Sequence, residues 1–87
     1  MAQYVSLQDV ARAIGVHYVK LATFFHVCGG KPARSPGRIS SLQTSGRVDG
    51  FEVESMIDFM SRCSRRMTPA AADALRKMAR PADAVLT

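Results

Sequence analysis

A mostly α-helical domain with one short β-hairpin is the fold class this sequence predicts, and three observations predict it. Residues 6–25 hold two apolar repeats of helical period that meet at a single glycine, Gly15. Pro32, Pro36 and Gly37 then forbid a continuing helix, ahead of two short runs of rough alternation. From Val53 a period near 3.6 returns, restarts at Thr68 and stops at Pro81. With 87 residues, 47% of them hydrophobic, the chain can bury one small core and does not have the composition of a disordered tail. The expected organisation is one domain over residues 1–80 and a flexible tail over 81–87.

The first elements carry clear start and stop signals. Residues 1–5 read as a lead-in, with Tyr4 and Val5 packing onto the first helix. Ser6 caps that helix and Asp9, three residues on, completes a capping box. Val5 and Val10 stand where a hydrophobic staple closes a helix start. Leu7, Val10, Ala11 and Ile14 form one face, and Gly15 supplies the left-handed residue that ends it. The second helix places Tyr18, Leu21, Phe24, Phe25 and Cys28 on its inner stripe and ends at Gly29-Gly30. Helix, tight turn and helix in this spacing resemble the DNA-binding helix-turn-helix, on Val10, Ala11, Gly15, Val16, Leu21 and Phe24. A plain helical hairpin is the alternative.

Residues 38–42 and 47–51 read as two short strands with a turn over 43–46; an irregular loop is the alternative. A basic hairpin in this place is a wing, so the full expectation is a winged helix-turn-helix. Beyond it, Val53, Met56, Ile57, Met60, Cys63 and Met67 share one helical face. Glu52 and Glu54 stand at the start of that helix and Arg62, Arg65 and Arg66 near its end, an order that suits the helix dipole. Thr68 caps a last helix with Pro69 in its first position. Ala70, Ala71, Ala74, Leu75 and Met78 give it a small apolar face, and the methionines read as adaptable core filler. No internal repeat is present.

Charge divides the chain. The net charge is +5. Residues 1–48 hold Arg12, Lys20, Lys31, Arg34, Arg38 and Arg47 against Asp9 alone, which accounts for all of it. Residues 49–87 hold six bases and six acids. A basic excess confined to the half with the helix pair is the electrostatic footprint of a polyanion partner, since each neutralised phosphate releases condensed counterions.

Several function classes lack support. There is no phosphate-binding glycine loop, nucleophile elbow or carboxylate pair, so no enzyme is expected and no cofactor. His17, His26, Cys28 and Cys63 lack metal-ligand spacing, so no metal is expected. Both cysteines fall at apolar helix positions and read as buried thiols; a disulfide between them suits an exported chain better. No apolar run approaches the roughly 20 residues of a membrane span, and no signal-peptide pattern opens the chain. A cytoplasmic protein without a membrane partner is expected.

The candidate partner is double-stranded DNA. With Leu21, Phe24, Phe25 and Cys28 turned inward, Val19, Lys20, Thr23 and His26 face outward, and His17 joins them at the helix start, where base contacts concentrate. Thr23 can offer a hydroxyl to a base edge and a methyl to thymine; Lys20 can reach guanine or a phosphate. Lys31 and Arg34 in the link, and Arg38 and Arg47 on the hairpin, complete the candidate set. The two hairpin arginines suit the minor groove or its phosphates.

The order of these elements resembles the small excisionases, recombination directionality factors related to MerR-type winged helices. YVSLQDVARAIGV is similar to their first two elements, and GRVDGFEVESMIDFM to the return strand of the wing entering the next helix. The resemblance covers residues 4–63. It departs from the pattern at His17, where such proteins usually carry serine or threonine, and in GGKPARSPGRISS, a long link into the wing. It implies a protein that bends DNA to help an integrase excise an element, with self-association on adjacent sites. The last helix and tail are the candidate surface for that association. A small phage or plasmid transcriptional regulator, or a helical interaction factor such as an anti-activator, are the other readings.

Overall fold

In the computed structural model, which describes residues 3–82, the chain enters its first helix at Ser6. The Ser6 hydroxyl accepts the Asp9 N–H at 3.2 Å, and the Asp9 carboxylate accepts the Ser6 N–H at 2.8 Å. This reciprocal cap starts α1 (Leu7–Ile14). Val5 and Val10 on either side of it are wholly buried. Gly15 ends the helix with φ of 73°, a conformation open to glycine and costly for a side chain with a Cβ. After Gly15 and Val16, His17 caps α2 (Tyr18–Val27).

A three-stranded antiparallel sheet follows, in the order β1 (Tyr4–Val5), β3 (Arg47–Glu52), β2 (Arg34–Ser40). The helices α3 (Val53–Cys63) and α4 (Pro69–Met78) complete a small α+β architecture. The hairpin expected from the sequence is present, with Ser40 opposite Arg47 and Ile39 opposite Val48. Two features of the sheet differ from expectation. Residues 4–5 are a strand rather than a lead-in, pairing Tyr4 with Glu52 and Val5 with Phe51. Two residues are too few to show alternation in a sequence, and the second edge of β3 supplies the partner. The other difference is that β2 starts at Arg34, four residues earlier than expected, and so includes Pro36 and Gly37.

A register shift between Arg34 and Arg38 makes room for them. Pro36 stands on an edge strand and within this irregularity, the two places where a missing N–H is tolerated in a sheet. Opposite it, a Cβ on Gly50 would lie 2.8 Å from the Ser35 hydroxyl and 2.9 Å from an Ile39 methyl. Glycine there lets the bulged strand close onto β3.

The core joins all these layers. Phe25 of α2 places its ring 5.4 Å from Phe51 of β3 and 5.3 Å from Phe59 of α3. Around them pack Leu21, Val53, Met56, Met60 and Leu75. Phe59, absent from the apolar face read in the sequence, is wholly buried. That face also ran too far. The helix ends at Cys63, so Met67, Arg65 and Arg66 lie beyond it, and the last-turn base is Arg62 alone. Ser64 adopts an extended conformation and breaks the period.

Cys28 and Cys63 are joined by a disulfide and are not separate buried thiols. Packing of α2 against α3 through Phe25 and Phe59 brings the two helix ends together. Sequence gave the apolar character of both sites, and no spacing rule pairs two cysteines at the ends of distant helices. In α4 the Thr68 hydroxyl accepts the Ala71 N–H at 3.2 Å, as the capping signal implies. The buried side is Ala71, Ala72 and Leu75, whereas Ala70 is exposed. The chain then returns to β1, where Tyr4 and Arg80 exchange backbone hydrogen bonds at 2.8 and 3.0 Å. Of the tail expected over 81–87, residues 83–87 lie outside the described part.

Candidate nucleic-acid interface

Burial of Leu21 and Phe25 fixes the rotation of α2. One side of a helix repeats every three to four residues, so Val19, Lys20, Thr23, His26 and Val27 are left on the opposite side. All five are exposed. Val27, 81% exposed at the end of the helix, continues the line of Thr23 and was not among the residues singled out. The inner stripe read from the sequence also included Tyr18, yet Tyr18 is 42% exposed. Standing in the first turn, it projects past the packed part of the helix.

Tyr18 opens onto a cleft of about 390 Å³ between α2, the start of α1 and the β2–β3 hairpin. His26, Arg34, Arg38 and Arg47 line it, and Gln8 closes the α1 side. Four of the nine sequence-derived candidates therefore meet in one place. Three arginines line it together with Asp49, which stands opposite Arg38 in the strand register. The Arg34 guanidinium lies 5.5 Å from the centre of the Phe51 ring, a cation–π contact that steadies it at the cleft edge. Gln8 and Tyr18 were missed because cleft membership depends on how α1 and the hairpin close over α2.

His17, Val19, Lys20 and Thr23 lie outside this cleft, on the neighbouring surface of α2. Each carries a local constraint or none. The His17 Nδ1 accepts the Val19 N–H at 3.2 Å and so caps the helix. An accepting Nδ1 carries no hydrogen, which leaves Nε2–H as the donor turned away from the backbone. Histidine thus performs the capping task that serine or threonine performs in the resembled pattern. The Thr23 hydroxyl donates to the Val19 carbonyl at 3.2 Å. Its hydrogen is spent within the helix, and what it offers outward is a methyl group and an acceptor. Lys20 instead flanks a hollow with Ile14, Val16 and Arg66.

Lys31 departs from the expected set in a different way. Its ammonium donates to the carbonyls of Phe25 and Cys28 and lies 4.6 Å from the centre of the Phe25 ring. It neutralises the carbonyl end of α2, the position where a cation complements the helix dipole. The side chain is exposed, yet its charge is turned to the helix and away from the cleft. At the far end of the hairpin, Ser41 accepts the N–H groups of Gln43 and Thr44 at 3.2 and 3.1 Å. The tip is thereby an ordered turn, with Leu42 half exposed on it.

Among the described residues, no group of three or more His, Cys, Asp or Glu side chains is placed to hold a metal ion. No described helix is long and apolar enough to cross a membrane. No known family model, curated protein or solved structure matches the chain.

Proposed function

We propose that this protein is a winged helix-turn-helix DNA-binding protein of the excisionase kind. The observation that carries the reading is the shared cleft, in which three arginines of the hairpin face His26 and Tyr18 of α2. In this reading α2 enters the major groove and the hairpin follows the adjacent backbone as the wing. The arginines hold phosphates and fix the register, while His17, Val19, Thr23 and His26 meet base edges. The concentration of the net charge in residues 1–48 supports a polyanionic partner, and no catalytic constellation competes with it. Excisionase character rests on the resemblance of residues 4–63. It adds DNA bending, assistance to an integrase and cooperative self-association.

Two titrations test the two levels separately. Fluorescence anisotropy with a random-sequence duplex asks for DNA binding; the expected result is binding that weakens steeply between roughly 50 and 200 mM salt. No binding at the lower salt sinks the reading altogether. Energy transfer between the labelled ends of a bound duplex from the element junction asks for bending. Ends that approach on binding support the excisionase role, and unchanged ends leave a DNA-binding protein of another kind.

A further inference from the structure

We propose that the Cys28–Cys63 bond is a thiol–disulfide exchange site whose state sets the order of α2 and, through it, DNA affinity. The second step rests on the DNA-binding reading; the first does not. Cys28 is the C-cap of α2 and Cys63 the last residue of α3. The bond spans a sequence separation of 35 residues, and the enclosed segment includes the whole β2–β3 hairpin. Breaking it therefore frees the C-cap of α2 from the end of α3 and opens the covalent loop that holds the hairpin arginines.

The remaining hold on α2 is modest. The helix has 10 residues, of which Leu21 and Phe25 are buried. A helix this short is marginal without tertiary contacts. Its first turn has no acidic residue to complement the dipole. Beyond the packing of Phe25 and the contacts of His17 and Lys31, the bond at the Cys28 C-cap is the covalent restraint on this helix.

The bond is also within reach of a reagent. Both cysteines are half-buried, neither sealed in the core. Gly29 and Gly30, which follow Cys28, are exposed and carry no side chain.

The co-reactant is a dithiol, small or protein-borne. One of its thiolates attacks a sulfur of the pair, the S–S bond breaks, and the other sulfur leaves as a thiolate that takes up a proton. The second thiol of the reductant gives up its proton and resolves the mixed disulfide. Two electrons pass to the protein, two cysteine thiols form, and the reductant leaves as its own disulfide.

The test uses the full chain, oxidised or treated with dithiothreitol, with thiols counted by iodoacetamide mass shift. Amide hydrogen exchange reads α2, and anisotropy on a random duplex reads affinity. Reduction without denaturant is expected to accelerate exchange over residues 18–28 while residues 56–60 of α3 stay protected. Affinity is expected to fall about tenfold if the ordered population falls to about a tenth. Cys28→Ser with Cys63→Ser should match the reduced protein under both conditions, and the reduced wild-type chain stands in if that variant does not fold. Resistance to dithiothreitol, or unchanged exchange after full reduction, overturns the proposal. Acceleration that reaches residues 56–60 equally also overturns it, since the bond is then a staple for the whole domain. If the oxidised chain binds no DNA, the DNA reading fails, and hydrogen exchange still decides the α2 step.

Discussion

Asp9 and Arg80 meet across 71 positions of the chain, and their contact shows how single residues close this fold. The Asp9 carboxylate is fully buried, with the Arg80 guanidinium 2.6 Å from it. The same guanidinium donates to the Ser40 carbonyl at 2.6 Å and the Met78 carbonyl at 3.0 Å. One side chain thus ties the cap of α1 to the edge strand and the end of α4. Arg80→Ala leaves the carboxylate buried without its countercharge, and the expected loss is about 3–5 kcal/mol. A urea midpoint measures it. Arg76→Ala, which removes the exposed contact with Glu54 at 2.8 Å, should leave that midpoint nearly unchanged. The base-reading residues call for variants that spare the fold. His17→Ser keeps an N-cap and removes the imidazole, so altered sequence preference with unaltered stability marks His17 as a reader. Thr23→Ala removes both a methyl group and an acceptor, with an expected loss of about 1–3 kcal/mol for each good base contact. Selection of bound sequences from a random duplex library reads both variants. The same selected sequences for parent and variants place recognition elsewhere.

At the scale of elements, the junction of α1 with α2 depends on Gly15. No atom stands within 4 Å of where its Cβ would be, so the requirement is conformational and not one of space. Asparagine tolerates positive φ far better than a β-branched residue. Gly15→Val should therefore lower the melting temperature, while Gly15→Asn should preserve most of it. Equal stability of the two variants would contradict the turn assignment. This junction was legible in the sequence because every signal in it is local: Ser6, Asp9, Val10 and Gly15 act within ten residues. The Thr68–Pro69 start of α4 was legible for the same reason. What escaped was non-local. Strand β1 exists through β3, the early start of β2 through a bulge against Gly50, and the disulfide through the packing of Phe25 on Phe59. Lys31 read as a free cation because capping of a helix from four residues past its end depends on how the Gly29-Gly30 turn folds back. The outward side of α2 was read correctly, since two buried anchors suffice to fix a helix face. The cleft itself was not legible: its arginines and His26 stood out by charge and helix position, but their meeting with Tyr18 and Gln8 comes from tertiary closure.

Across the whole molecule, charge and shape converge on one side. In the second half of the chain Arg76 is paired to Glu54 and Asp73 and Arg62 to Asp58, while Arg80 reaches back to Asp9 in the first half. On the hairpin, Arg34, Arg38 and Arg47 are all exposed and line the cleft beside α2. The Arg38 guanidinium is exposed on the hairpin and contributes little to folding, so alanine there should leave the melting temperature close to that of the parent. The most direct test of the account measures binding of the parent, Arg38→Ala and Arg47→Ala to random-sequence duplex DNA at several salt concentrations. The account predicts weaker binding by each variant on all sequences, with the slope of log affinity against log salt reduced by about one unit per phosphate contact removed. Parent affinity and parent slope in both variants would contradict it, and the hairpin would then be no part of a DNA interface.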